Sequence, residues 1–114
     1  MMLTINNSEI NGVAGENPGS AIFAYEYTNL DRLIINGGKV IGADGENGYP
    51  AIWFGGEAAR MLRDGSVIIN GATVKGGNAK SDSGSGGSAI KLEIKYGFSF
   101  TAICTLGFCC TCAK

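Results

Sequence analysis

The chain has 114 residues, enough for one domain with a modest core, and 45% of them are apolar, a globular rather than a disordered balance. Nine basic residues against ten acidic ones leave a formal net charge of −1, and the basic residues are scattered, which argues against a nucleic-acid partner. No apolar run reaches the ~18–20 residues that span a bilayer, and 19 glycines with only 2 prolines and no Gly-X-Y period exclude collagen and suggest an all-β chain that turns often.

The N-terminus, MMLTINN, has neither a basic segment nor an apolar stretch behind it, so it does not read as a signal peptide. Residues 3–22 then align without a gap on residues 33–52, nine of the twenty positions being identical, among them Leu3/Leu33, Ile5/Ile35, Asn6/Asn36, Gly12/Gly42, Glu16/Glu46 and Ile22/Ile52. A third copy starts at Val67 with VIINGATVKGG and ends at Ser88-Ala89-Ile90 after an insertion in the Ser/Gly-rich stretch 80–87. In each copy short alternating apolar runs are broken by Gly, Asn and Asp, which predicts strands and turns. A first strand is expected at 3–5, 33–35 and 67–69, a second around Ile10, Val40 and Val74, and a third at 22–24, 52–54 and 90–92. Stacking these copies about 4.8 Å apart superposes their apolar positions. The expected fold is therefore a short right-handed parallel β-helix, a β-solenoid of about three coils (3–32, 33–66 and 67–97) with a strand-like tail (98–114), forming a single domain over 1–114.

Asn6, Asn36 and Asn70 follow an inward isoleucine at the same place in each copy, where a corner residue must tolerate left-handed geometry; an asparagine ladder is expected there, with Ile22, Ile52 and Ile90 forming an apolar one. Glycines 12, 42 and 76 read as places where a positive φ or a close backbone approach excludes a Cβ. Glu16 and Glu46 share one position of the repeat, and their separation could match a retaining glycosidase pair. With no histidine in the chain and little at a Gly-flanked corner to raise either pKa, the expectation is that the protein is not an enzyme. Asp44, Glu46, Asn47 and Glu16 are oxygen donors gathered at a turn, a weak calcium pattern without the nine-residue calcium repeat, so no cofactor is expected.

If Ile22 and Ile52 point inward, Phe23 and Trp53 point outward on neighbouring copies, with Lys91 third in line. Tyr25, Tyr27 and Tyr49 widen this strip into a candidate ligand platform of the kind that holds sugar rings, Phe23, Trp53, Tyr25 and Tyr49 being its main residues. The competing reading is that residues 55–65, with Ala58, Met61 and Leu62 at helical spacing, fold over Trp53. The tail alternates apolar and polar residues as a long strand. Its Cys104, Cys109, Cys110 and Cys112 lack paired zinc-knuckle spacing, so core cysteines or interchain disulfides are preferred to a metal site.

At the level of the ING-G-x-V-x-G motif followed by a Gly-rich loop and Ala-Ile, the chain resembles the β-helical repeats of large bacterial secreted or cell-surface proteins loosely labelled carbohydrate-binding. The resemblance covers about residues 3–100. It implies an extracellular or cell-surface scaffold that binds a glycan or protein partner through the Phe23/Trp53 flank. The alternative is a self-assembling structural protein, a homo-oligomer or filament joined through uncapped solenoid ends.

Overall fold

The computed structural model describes residues 1–14, 19–25, 30–60, 62–63, 65–93 and 110–113. These residues form β1 (Met2–Asn11), β2 (Ile22–Ala24), β3 (Arg32–Ile41), β4 (Ile52–Gly55), the short helix α1 (Gly56–Arg60), β5 (Val67–Asn70), β6 (Thr73–Lys75), β7 (Ile90–Glu93) and β8 (Cys110–Ala113). One sheet runs β1-β3-β5, with β6 also paired to β3; the other runs β2-β4-β7-β8, and every pairing is parallel.

Register follows the apolar pattern, because a slip of one residue would turn each buried side chain to the other face. Leu3, Ile5 and Ile10 lie opposite Leu33, Ile35 and Val40. Leu33 and Ile35 in turn face Val67 and Ile69, and Val40 faces Val74. In the other sheet Ile22 faces Ile52, and Ile52 and Phe54 face Ile90 and Leu92. The middle strands have neighbours on both sides, and Leu33, Ile35, Val40, Ile52, Phe54, Val67, Ile90 and Leu92 are fully buried. Each such side chain contributes on the order of 1.5–3 kcal/mol over its exposed state. Ala58, Ala59 and Leu62, in and just after α1, join the same cluster.

Several expectations are corrected. The molecule is a compact all-β body of two small sheets and not an elongated multi-coil solenoid. Its extents are 36 × 34 × 25 Å and its radius of gyration of 13.4 Å matches the roughly 13 Å of any compact domain of this length. The order is irregular. The first and second strands expected in each of the first two copies are single ten-residue strands, while the third copy is split into β5 and β6, and α1 interrupts the path to them. The two sides of the first sheet therefore differ, one being a ten-residue strand and the other strands of four and three residues. End-to-end stacking into filaments, which needs matching ends, loses its basis.

The corner also lies one residue later than expected. Left-handed φ values occur at Asn7 (46°), Gly37 (67°) and Gly71 (62°), immediately after the asparagines. The asparagine side chains bond one another across strands: Asn36 Nδ2 donates to Asn6 Oδ1 at 2.9 Å, and Asn70 Nδ2 to Asn36 Oδ1 at 2.7 Å. Asn36 carries both bonds. Asn36→Ala is expected to destabilise the domain by about 1 kcal/mol, read from the urea midpoint, and Asn70→Ala, which removes one bond, by about half as much. Equal midpoints for both variants and the wild type would show the ladder to be idle.

Candidate functional site: the open edge at β1 and β2

The outermost strand of each sheet on one side, β1 and β2, comes from the first 24 residues. Among the described residues no strand pairs with the outer side of either. Alternate backbone N–H and C=O groups of β1 thus face away from β3. The large apolar side chains that stand exposed gather here too: Met1, Met2, Leu3, Val13 and Phe23, the last at 57%. Met2 and Leu3 belong to β1, Met1 and Val13 flank it, and Phe23 belongs to β2, so these exposed apolar residues all fall on or beside the two outer strands. The asparagine ladder ends at this edge with the Nδ2 of Asn6, which has no partner among the described residues. Glu9, exposed, sits opposite Lys39.

Beside this edge lies the aromatic row. Phe23 pairs in register with Trp53, and Trp53 with Lys91. Phe23 stacks on Tyr25, with centroids 5.6 Å apart and planes 14° apart. It meets Trp53 edge to face, at 5.1 Å and 65°. The Lys91 amine lies 4.3 Å from the Trp53 ring centre, a cation–π contact. Of the expected platform, Phe23 and Tyr25 lie nearly parallel, Trp53 stands edge-on to Phe23 with the Lys91 amine over its ring, and the Tyr49 ring packs against Gly45 in the corner loop, with no ring contact joining it to the row among the described residues. Of residues 55–65, expected to fold over Trp53, Ala58, Ala59 and Leu62 turn into the core, and Met61 and residue 64 lie outside the described residues. Trp53 is half-buried, and its indole Nε1 is buried without a hydrogen-bond partner among the described residues.

The acidic corner serves the loops. Asp44 Oδ1 accepts from the Asn78 backbone N–H at 2.6 Å, and Asn47 Oδ1 from that of Ser85 at 2.9 Å, so both oxygens fasten the third copy to the second. Glu46 is exposed, and Glu16 lies outside the described residues, as do Gly15, Asn17 and Tyr27. Among the described residues no three His, Cys, Asp or Glu side chains gather as metal ligands. Cys110 and Cys112 hold the register positions of Ile90 and Leu92, whereas Cys104 and Cys109 lie outside the described residues.

Comparison with protein-family models, curated proteins and solved structures finds no match. The resemblance to bacterial cell-surface β-helical repeats is therefore corrected as well: neither a related family nor the compact two-sheet body supports it.

Proposed function

We propose that the chain is a non-catalytic protein-interaction domain that takes up an extended segment of a partner protein as a parallel strand on the outer side of β1. The observation that carries this reading is the gathering of Met1, Met2, Leu3, Val13 and Phe23 at one open edge. Main-chain bonds to such an edge supply affinity, and alternate side chains supply selectivity. The chain's own β3 shows what β1 accepts: apolar residues opposite Leu3, Ile5 and Ile10, an asparagine opposite Asn6 and a lysine opposite Glu9. The partner segment accordingly carries the pattern apolar-x-apolar-Asn, then a basic residue three positions on and an apolar one after it. A second copy does not supply it from the opposite side of the sheet, because β5 and β6 are broken around Gly71.

A fluorescein-labelled peptide with the sequence of residues 32–41, RLIINGGKVI, is expected to bind the full chain saturably by anisotropy, while a scrambled peptide of the same composition does not. Replacing the peptide's asparagine by alanine weakens binding about fivefold, the worth of roughly one hydrogen bond. Glu9→Lys in the protein weakens it as well. Equal binding of the scrambled peptide, or none by either, overturns the proposal. So does a concentration-dependent doubling of molar mass of the chain alone, which would give the edge to a second copy.

A further inference from the structure

A second feature stands apart from the β1 edge. Between the corner at 47–50 and the loop at 85–88 lies a concavity of about 220 Å³ lined by Asn47, Pro50, Ser85, Ser88, Lys91 and glycines. Its chemistry is one-sided. The Asn47 Oδ1 is committed to the Ser85 N–H, which leaves the Asn47 amide group as a donor. Ser85 and Ser88 add hydroxyls, and Lys91 adds a positive charge that forms no ion pair among the described residues. Among the described residues no carboxylate lines the concavity.

The walls are held by the glycines on either side. A Cβ on Gly48 would stand 1.9 Å from the Gly77 carbonyl oxygen, and one on Gly87 would stand 2.2 Å from that of Tyr49, so both are fixed by close backbone approach. Gly86 differs. A Cβ there meets nothing nearer than 3.8 Å, so packing does not demand glycine at that position, and its absence of a side chain leaves the loop backbone open to a ligand. Donors on several sides, one cation and no acid suit a tetrahedral oxyanion.

We propose that this concavity binds a phosphate group, held by Lys91 with Asn47, Ser85 and Ser88. The chain's single tryptophan reports on it, because the Lys91 amine rests on Trp53 and a bound anion draws on that amine. Inorganic phosphate and O-phosphoserine are titrated separately into the full chain, with sodium chloride at matched ionic strength. A saturable change in tryptophan emission with phosphate but not with chloride is expected, together with shifts of the Gly86 and Ser88 backbone amides in nitrogen–proton correlation spectra. Tighter binding of O-phosphoserine assigns the site to phosphate monoesters, and equal or weaker binding assigns it to the free ion. Lys91→Met is expected to weaken the amide shifts at least tenfold, and Lys91→Arg to keep them. Gly86→Ala should weaken binding without lowering the urea midpoint. No saturable change, the same change with chloride, or undiminished amide shifts in Lys91→Met overturns the proposal. None of these outcomes depends on whether a peptide binds β1.

Discussion

Replacing Phe54 by alanine is expected to remove about 3–5 kcal/mol of stability. Phe54 is 1% exposed in β4, facing Leu92 across the strand pair and sharing its cluster with Ala58 and Ala59 of α1 and with Leu62. Deleting its ring loses the transfer energy of the largest fully buried side chain and leaves a cavity that β4, held by a paired strand on each side, cannot close. A domain of this size holds on the order of 5–15 kcal/mol in total, so the urea midpoint should fall by about a fifth or more. Phe23→Ala is the control: with the ring 57% exposed at the edge, its loss is expected to cost under about 1 kcal/mol. A Phe54 variant as stable as the Phe23 variant would place the core elsewhere.

Gly77→Ala is expected to cost about 3 kcal/mol through a different cause, overpacking of backbone against backbone. A Cβ at this position would stand 1.8 Å from the Ala43 carbonyl oxygen and 2.8 Å from that of Gly42, and neither is the end of a side chain that can swing aside. The same residue donates its N–H to the Tyr49 carbonyl at 2.9 Å and accepts from Gly87 N–H at 2.8 Å, so moving it pulls two loops apart. Gly19→Ala, where an added Cβ meets nothing within 4 Å, should stay within about 0.5 kcal/mol of wild type by the same denaturation. If the Gly77 variant unfolded at the wild-type midpoint, the two loops would not be joined as described, and the concavity beside Lys91 would lose its wall.

Much of the local pairing could be read from the repeat. Opposing Leu3 to Leu33, Asn6 to Asn36 and Ile22 to Ile52 needs only equal spacing and the preference of like apolar positions for one face. The overall architecture could not be read the same way, because the three copies are not equally regular: β1 and β3 are ten-residue strands, while the third copy holds strands of four and three residues. Gly71, in the left-handed region, separates β5 from β6, and nothing in the alignment of VIINGATV on LIINGGKV distinguishes a continuous strand from a broken one. Register of β8 on β7 was equally hidden, since Cys110 and Cys112 share no pattern with Ile90 and Leu92 beyond alternation. At the candidate surface, Phe23 and Trp53 were correctly placed side by side in sequence, but a strip of rings on paper carries no tilt. The edge-to-face angle and the lysine over the indole depend on side-chain packing that pairwise spacing does not encode. The Lys91 concavity went unseen for another reason: its lining comes from residues 47–50 and 85–91, which only the loop-to-loop bonds bring together.

The parallel pairing has a consequence for how the chain becomes native. Among the described strands, and apart from β7 and β8, no two that follow one another are neighbours in a sheet; β1 waits for β3, β2 for β4 and β4 for β7. The entropy of closing each intervening segment is lost before any strand pair rewards it, and among the described residues no hairpin is there to nucleate growth. Such a topology belongs with the slow end of single-domain folding, in milliseconds to seconds, rather than with the microsecond bundles. A nascent chain released as far as α1 would hold β1 through β4 but lack the partners on the far side of β3 and β4, leaving Leu33, Ile35, Ile52 and Phe54 open to other molecules. Synthesis must pass residue 93 before the two central strands are covered, and until then these core side chains are exposed to other molecules.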